Sequence, residues 1–307
     1  MTRITEVAPA KINLALHVRA RRDDGYHEIE TLFAFLRDGD SVTVEEAVED
    51  SFTLTGPFGE LLSGEGNNLV LAARDAFLAA CGPLPPLAIT LDKHLPVASG
   101  IGGGSADAAA TLRALARLRG IEPGALMGLA LDLGSDVPAC LLGKSAVGEG
   151  RGERLQVIEG LSGIPVLLVN PGVAVSTAAV FRGWGGADRG PLLPRHPGLV
   201  PGSAERQAPD DRDTRHGGPR DEPGMTEWLA GAIQGRNDLE APARAIAPVI
   251  GDVIDLLAAQ PGVILARMSG SGATCFALFD SEAARTAAGI AIAAQQPDYW
   301  CLESTLA

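Results

Sequence analysis

A glycine-rich segment that runs directly into an alanine-rich stretch is the feature that most constrains the fold of this 307-residue chain. Residues 95–110 contain Gly100 and then three consecutive glycines, Gly102–Gly104, followed by Ser105 and a run of alanine. Without a Cβ atom, these positions allow positive φ angles and a close approach of the backbone to a ligand. A helix that starts here presents unpaired N–H groups and the positive end of its dipole. The segment therefore predicts a phosphate-binding loop or, as the alternative, a glycine hinge before a packed helix.

The glycine spacing matches neither of the two common nucleotide-binding fingerprints. A Walker loop places a lysine directly after its glycines, whereas Ser105 stands at that position in this chain. The dinucleotide pattern requires a third glycine where Ser105 stands. The spacing therefore argues against a dinucleotide-dependent oxidoreductase, and a loop without its own lysine needs cations from elsewhere in the chain.

Short β-like runs alternate with helical stretches along most of the chain, which predicts a mixed α/β protein. Residues 11–18 alternate strictly, so a strand here would point Lys11, Asn13 and His17 to one face. The other predicted strands are 41–45, 87–91, 165–169 and 274–279, and the predicted helices are 68–80, 105–119, 238–247, 249–259 and 281–294. The length of the chain favours two domains.

Acidic residues outnumber basic ones, 38 to 25, which gives a net charge of −13. A surface of this sign repels nucleic acid and anionic lipid, so we expect neither as a partner. An anionic ligand must instead meet a local concentration of donors. Three of the basic residues are lysines, Lys11, Lys93 and Lys144, and the other 22 are arginines. Such scarcity points to positions where a compact ammonium is needed and a planar guanidinium does not fit, with chance retention as the alternative.

Four cysteines, Cys81, Cys140, Cys275 and Cys301, are scattered without a C-x-x-C pair. This pattern predicts reduced thiols rather than a zinc site or a disulfide framework. The first residues lack the apolar run of a signal peptide, and no stretch is apolar and long enough to span a membrane. We therefore expect a soluble, cytoplasmic protein.

One segment, residues 183–224, breaks the α/β pattern. It contains nine glycines and seven prolines and almost no apolar periodicity. Such a composition buries too little apolar surface to offset its chain entropy, which predicts a long mobile insertion. The alternative is a functional arm, either a lid over the active site or a partner-binding loop.

Three further motifs carry residues of chemical interest. The chain opens with the Lys11 strand and the segment 21–33, which contains Tyr26 and His27. Asp136 lies in Leu-Gly-Ser-Asp-Val-Pro, where a helix cap or a turn explains it equally well. The small-residue loop 269–272 would either offer donors to an anion or pack closely against the first glycine loop.

Taken in this order and spacing, the motifs resemble those of the GHMP kinase superfamily, named for the galactokinase, homoserine, mevalonate and phosphomevalonate kinases. Residues 96–106 are similar to its ATP-phosphate loop and 269–273 to its C-terminal glycine motif. Residues 10–14, 22–27, 134–138 and 237–240 resemble one branch, whose members phosphorylate a cytidine diphosphate-linked methylerythritol. The resemblance covers nearly the whole chain except 183–224.

The resemblance implies a two-lobed α/β (α+β) fold, with an N-terminal GHMP domain over 1–160 and a ferredoxin-like C-terminal domain over 161–307, interrupted at 183–224. It implies a transferase that moves a phosphoryl group from ATP to the 2-hydroxyl of that small-molecule substrate, in non-mevalonate isoprenoid (terpenoid) biosynthesis. Mg²⁺ would be carried with ATP, and the hydroxyl of Ser105 is the one protein ligand that the sequence offers.

The resemblance also implies residue roles. Asp136 would be the catalytic base and Lys11 its charged partner, which agrees with the need to deprotonate an alcohol during phosphoryl transfer. Tyr26 and His27 would hold the cytosine by stacking and hydrogen bonding, with Phe181 on the opposite face. The implied ATP-binding residues are Lys93, Pro96, Val97, Ala98, Ser99, Gly100, Ile101, Gly102, Gly103, Gly104, Ser105 and Ala106, and the implied substrate-binding residues are Asn13, Tyr26, His27, Phe181, Ser269, Gly270, Ser271 and Gly272.

Two other functions remain open at this point. The first is a GHMP kinase for homoserine or mevalonate, against which the Gly25-Tyr26-His27 segment argues. The second is a non-catalytic nucleotide-binding module, which the joint presence of Lys11 and Asp136 disfavours. We expect His17 to be a hydrogen-bonded structural histidine and Lys144 to be a surface lysine, with a contact to the substrate phosphates as the alternative for Lys144.

Overall fold

A computed structural model describes residues 2–62, 68–192 and 227–307 and places them in two β-sheets with helices packed on both. The predicted α/β class is confirmed. The five predicted helices coincide closely with observed ones, and the predicted strands fall on observed strands. The predicted division after residue 160 falls between the last strand of the first sheet and the first strand of the second, and it stays a prediction.

The first sheet is organised around its longest strand, His27–Glu46. Its strands are β1 (Arg3–Arg21), β2 (His27–Glu46), β3 (Ser51–Thr55), β4 (Leu87–Asp92), β5 (Ala146–Gly150) and β6 (Arg154–Val157). β1 pairs antiparallel with one edge of β2, and the other edge of β2 pairs with β5 in its first half and with β4 in its second half. β3 lies parallel to β4, and β6 lies antiparallel to β5.

The second sheet contains β7 (Pro165–Asn170), β8 (Val263–Met268), β9 (Cys275–Phe279) and β10 (Trp300–Thr305), in the spatial order β10-β7-β9-β8 with every pair antiparallel. Helices lie between β7 and β8 and again between β9 and β10. This strand–helix–strand–strand–helix–strand order is that of a ferredoxin-like domain, as predicted.

The helices are α1 (Leu69–Cys81), α2 (Gly103–Arg119), α3 (Met127–Leu133), α4 (Val137–Leu142), α5 (Thr177–Gly183), α6 (Glu227–Gln234), α7 (Glu240–Ile246), α8 (Val249–Ala258) and α9 (Glu282–Gln295), with short 3₁₀ turns at Glu60–Leu62 and Pro123–Leu126. Helix α2 is buried along most of its length and contacts β1, β2, α1 and α4. Its run of alanines permits this close packing because small side chains let neighbouring backbones approach. The glycine loop at its N-terminus is thereby fixed to the core.

Strand β1 is buried on both faces between residues 10 and 18 because α2 packs against it and the second sheet with its helices also covers it. A β-bulge between Asn13 and Ala15 interrupts the alternation that the sequence shows. Beyond the bulge, Leu16 rather than His17 lines the cleft that holds Lys11 and Asn13. The prediction that His17 shares their face was therefore wrong.

The residues of segment 183–224 that the structure describes, 183–192, are anchored to β1. Trp184 and Leu192 are buried, and the Asp188 carboxylate accepts a hydrogen bond of 2.9 Å from Arg19. The Gly190 carbonyl lies 3.2 Å from Nδ1 of His17. This stretch therefore packs on the body of the protein, and the mobility of the segment as a whole stays a prediction. Residues 193–224 of the predicted insertion lie outside the described residues.

The four cysteines are free thiols, as predicted. Burial raises the pKa of Cys140 to about 12, so this thiol stays protonated at neutral pH. Within the described ranges, no helix has the length and apolar character needed to cross a membrane.

Two glycines give a first test of the packing. An alanine at Gly148 of β5 would place its Cβ 2.6 Å from Cε2 of the buried Phe33 ring, so Gly148→Ala should lower the free energy of unfolding by about 2 kcal/mol through overpacking. Gly128 of α3 has no atom within 4 Å of the corresponding position. Gly128→Ala should therefore raise the free energy of unfolding by about 0.5–1 kcal/mol. Urea unfolding measures both, and equal effects of the two variants would contradict the packing described.

Candidate active site

The predicted glycine loop connects β4 to α2 and forms one wall of a cleft of about 410 Å³. Gly102 is the N-cap residue of α2 and, with φ 68°, takes the left-handed conformation, as does Gly100 with φ 78°. The first N–H groups of α2 have no intrahelical acceptor. Gly103, Gly104 and Ser105 line the cleft, so the positive end of the helix faces it. This arrangement suits a phosphate group.

The second glycine loop, residues 269–272, packs directly against the first. A Cβ at Gly100 would lie 2.6 Å from the Ser269 carbonyl oxygen and 2.7 Å from that of Gly272. The Ser269 hydroxyl donates a hydrogen bond of 3.0 Å to the Gly100 carbonyl, and the Thr274 N–H donates one of 3.1 Å to the Ser99 carbonyl. The sequence left open whether this loop offers donors to an anion or packs closely against the first glycine loop, and the structure shows the close packing. Gly270 and Ser271 also line the cleft, where they could contact a ligand.

An ion pair between Lys11 and Asp136 lies beside the first glycine loop. The Lys11 ammonium lies 3.0 Å from the Asp136 carboxylate and 2.9 Å from Oδ1 of Asn13. The Lys11 side chain is 3% exposed and that of Asp136 36%, so the carboxylate is the member of the pair that a substrate can reach. The absent Cβ of Gly102 makes room for the lysine, whose Cε would lie 2.9 Å from it. Asp136 precedes α4, and its side chain makes no capping hydrogen bond to that helix.

Asn13 is fixed by contacts on both of its amide atoms. Its Nδ2 donates 2.8 Å to the Thr31 hydroxyl, while its Oδ1 accepts from Lys11. Its backbone N–H donates 3.2 Å to the Ser269 hydroxyl. Asn13 therefore ties the lysine to both the first sheet and the second glycine loop.

Lys93 lies beneath the start of α2 and is shared by two buried carboxylates. Its ammonium lies 2.5 Å from Oδ2 of Asp40 and 2.7 Å from Oδ2 of Asp107. Burial disfavours the ammonium, but the charges of Asp107 and Asp40 outweigh this effect, and the pKa of Lys93 is raised. Burial raises the pKa of Asp107 to about 7, against the lowering effect of Lys93. A proton shared within this group would leave it neutral, which favours its burial.

His27, Phe181 and Trp184 form an aromatic group, of which Phe181 lines the cleft. The His27 and Phe181 rings lie 4.9 Å apart, and Trp184 approaches His27 edge-on at 5.7 Å. Burial and the charge of Arg21 lower the pKa of His27, so the imidazole is neutral at pH 7. Its Nε2 is buried without a hydrogen-bond partner among the described residues. Tyr26 is 49% exposed at the edge of this group.

Most of the predicted site residues line one cleft: Lys11, Asn13, Lys93, Pro96, Val97, Ala98, Ser99, Gly100, Gly102, Gly103, Gly104, Ser105, Asp136, Phe181, Gly270 and Ser271. The lining of this cleft does not include the other six: Tyr26, His27, Ile101, Ala106, Ser269 and Gly272. Sequence reasoning missed Asp40, Asp107, Arg151 and Trp184. Distant pairings position Asp40, Arg151 and Trp184, and no local motif marks them. Asp107 lies within the glycine-rich segment 95–110, but that motif does not show that it pairs with Lys93. His17 hydrogen-bonds to the loop at 190 and to the Arg236 N–H, and Lys144 is exposed, as expected for both.

Comparison with known proteins agrees with this geometry. Residues 68–144 match the model of the GHMP kinases N terminal domain, and residues 226–295 match that of the GHMP kinases C terminal domain. A curated 4-diphosphocytidyl-2-C-methyl-D-erythritol kinase from Rhizorhabdus wittichii is 52% identical over 98% of this chain and 94% of its own length. The same enzyme from Sphingopyxis alaskensis is 44% identical over 98% of each chain.

Solved structures give the same result. The crystal structure of a 4-(cytidine 5'-diphospho)-2C-methyl-D-erythritol kinase superposes with a TM-score of 0.73 at 33% identity, over 99% of both chains. A homoserine kinase from Cytophaga hutchinsonii superposes with a TM-score of 0.64 over 100% of this chain and 95% of its own, at 17% identity, which speaks for the fold alone.

A ferredoxin-like sheet joined to a glycine-loop domain, with a lysine–aspartate pair in the cleft between them, defines an ATP-dependent small-molecule kinase of the GHMP type. Its sequence and structure agree with one group of these enzymes over nearly the full chain. The chain belongs to the family of 4-diphosphocytidyl-2-C-methyl-D-erythritol kinases.

The buried Lys93 group gives a stability prediction. Lys93→Met removes the one cation shared by Asp40 and Asp107, both buried, and should lower the free energy of unfolding by about 3 kcal/mol. The exposed Lys144 serves as the control, because Lys144→Met changes net charge equally and should change stability by less than about 0.5 kcal/mol. Denaturant unfolding at pH 7 measures both variants. A Lys93 variant as stable as the Lys144 variant would contradict the proposed buried charge group.

Proposed function

We propose that this chain transfers the γ-phosphoryl group of ATP to the 2-hydroxyl of 4-diphosphocytidyl-2-C-methyl-D-erythritol, giving the 2-phosphate and ADP. The observation that carries the proposal is the Lys11–Asp136 pair, which lines one cleft together with the first glycine loop and with Phe181 of the aromatic group. The reaction is a step in the non-mevalonate route to isoprenoid precursors. The four free cysteines of the protein fit a reducing compartment, and in this proposal the protein acts in the cytoplasm.

In this proposal Asp136 is the catalytic base. Its partly exposed carboxylate accepts the proton of the 2-hydroxyl as the oxygen forms a bond to the γ-phosphorus and the bond to the β-phosphate oxygen breaks. Lys11, held by Asn13, fixes the position of the carboxylate. Its ammonium also stabilises the negative charge that the transferred phosphoryl group carries in the transition state.

The N–H groups at the start of α2 bind the ATP phosphates in this proposal, within the loop formed by residues 96–106. Lys93 contributes from below the loop. Its ammonium lies 3.0 Å from where a Cβ of Gly103 would stand, and its two carboxylate partners fix it there. In this proposal its role is therefore to hold the start of α2 in position beneath the phosphates.

Mg²⁺ enters with ATP in this proposal. In kinase sites the ion is held by the nucleotide phosphates and by one or two protein oxygens. The Ser105 hydroxyl and the Asp136 carboxylate both line the cleft, and no group of three or more metal-ligating side chains occurs in the described parts of the chain. These donors fit an ion brought by the nucleotide, with Ser105 as its protein ligand. When bound, Mg²⁺ neutralises charge on the β- and γ-phosphates.

The cytosine binds between Tyr26 and Phe181 in this proposal. The unpartnered Nε2 of the neutral His27 is available for a hydrogen bond to the edge of the base. A buried nitrogen without a partner costs free energy, and a base with a matching donor removes that cost. The relatives' names specify the same cytidine diphosphate group.

Substrate choice tests the proposal directly. The purified protein should show ATP-dependent turnover of 4-diphosphocytidyl-2-C-methyl-D-erythritol, followed by ADP release, and none of homoserine or mevalonate. Turnover of either alcohol in place of the cytidine compound would assign the chain to another GHMP kinase activity. ATP binding without turnover of any of the three would indicate a non-catalytic nucleotide-binding module.

The catalytic base is tested by an isosteric substitution. Asp136→Asn should lower kcat by about 10³-fold, because the amide cannot accept the hydroxyl proton, while ATP binding is retained. Asp132→Asn is the matched control, since Asp132 is an exposed carboxylate of α3 four positions away, and its kcat should equal that of the unmodified protein. Steady-state kinetics and ATP titration measure these effects. Full activity of Asp136→Asn would exclude Asp136 as the base.

A further inference from the structure

Among the described residues, three cationic side chains line the cleft, and they differ in whether a carboxylate neutralises them. Lys11 pairs with Asp136, and Lys93 pairs with both Asp107 and Asp40. The third is Arg151, which makes no ion pair with any carboxylate in the described ranges. Arg151 is therefore the cleft cation whose charge is still available for a ligand.

The backbone around Arg151 explains why it reaches the cleft. Arg151 lies in the turn between β5 and β6, where its N–H donates 2.5 Å to the Glu153 carboxylate. Gly148 and Gly152 flank the turn, and their missing Cβ atoms leave room for the Phe33 ring, which would lie 2.6 Å and 3.3 Å from them. The turn is thus held against the ring that also lies beneath the Lys11 ammonium.

Strand pairing brings this turn to the proposed base site. Gly150 pairs with Ile29 of β2, three residues after Tyr26 in the turn between β1 and β2. The guanidinium carbon of Arg151 lies 4.7 Å from the centre of the Tyr26 ring. Arginine on an aromatic face keeps its N–H groups free at the edges of its plane. The contact therefore fixes Arg151 beside the base site without using its hydrogen-bond donors.

One carboxylate that senses the charge of Arg151, Asp24, has other partners. Asp24 accepts a hydrogen bond from the Tyr26 N–H and pairs with Arg22. These contacts, and in smaller part the charge of Arg151, lower the pKa of Asp24. The charge of Arg151 therefore acts on the Asp24 carboxylate, but Asp24 does not accept hydrogen bonds from the Arg151 guanidinium.

We propose that Arg151 binds the diphosphate of the substrate. The proposal rests on the proposed function, in which the base lies at Tyr26 and the accepting hydroxyl at Asp136. The diphosphate connects these two groups and so must cross the part of the cleft that Arg151 lines. In the proposed function, the N–H groups at the start of α2 bind ATP and so do not serve the substrate. A chain of net charge −13 attracts no anion by its overall field. A guanidinium fork can donate two hydrogen bonds to phosphate oxygens.

Binding of substrate fragments separates this role from stacking on the base. The probes are CDP, which carries the diphosphate, and cytidine, which does not. Arg151→Met keeps the aliphatic stem and removes the charge, so it should weaken CDP binding about tenfold and leave cytidine binding unchanged. Arg154→Met is the control, because Arg154 lies on the same hairpin, is 58% exposed and pairs with Glu28. The control should bind both probes as the unmodified protein does.

Dissociation constants from nuclear magnetic resonance titration test whether Arg151 binds the diphosphate. Arg151→Lys is a second variant, which keeps a positive charge and should retain more CDP affinity than Arg151→Met. Equal CDP affinity of Arg151→Met and the unmodified protein would overturn the proposal, as would equal losses for CDP and cytidine. If the unmodified protein binds CDP and turns over the cytidine substrate, such a result refutes only the role of Arg151. If the unmodified protein binds neither probe, the proposed function fails as well.

Discussion

The contact between the two glycine loops is the constraint on which the site depends. The backbone at Gly100 touches the carbonyls of Ser269 and Gly272 so closely that any side chain there would collide with them. Because one loop belongs to the first sheet and the other to the second, this contact fixes the two sheets at the separation that the cleft requires. The hydroxyl of Ser269 then joins Asn13 to Gly100, and through Asn13 it fixes Lys11. The position of the Lys11–Asp136 pair thus depends on main-chain packing as much as on charge.

The distribution of charge follows from the same geometry. Each of the two lysine ammonium groups in the cleft forms an ion pair with a carboxylate: Lys11 pairs with Asp136, and Lys93 pairs with Asp40. Fixed partners of this kind keep the cations in place without a large reorganisation when the nucleotide binds. They also leave little net positive charge, so the helix N-terminus and Arg151 must supply the remainder of the attraction for phosphate groups. A strongly acidic chain can therefore bind two anionic ligands in a single cleft.

Local patterns in the sequence predict much of the fold and the chemical centre of the site. Helix α2 with its glycine loop and the first strand follow from residues close together in the chain, whereas the ATP-dependent chemistry follows from the resemblance of several separate motifs to the GHMP kinases. Asp40 and Trp184 do not, because each reaches its place through pairings of strands and helices far apart in sequence. His17 was placed on the wrong face because a bulge changes which residues point inward, and alternation alone does not show where a bulge occurs. The described part of segment 183–224 packs on β1 through Trp184, which composition does not reveal.

The bulge in β1 has a further consequence for how the strand divides its tasks. Residues before it present Lys11 and Asn13 to the phosphate chemistry, and residues after it present Leu16 to the cleft and His17 to the loop at 190. One extra residue thus separates the polar cleft residues Lys11 and Asn13 from the apolar cleft residue Leu16 within a single continuous strand. The side chains on the two sides of the bulge are out of phase by one residue. A change of strand length on either side of the bulge would therefore exchange polar for apolar side chains in the cleft, whereas substitutions on one side leave the orientation of the other intact.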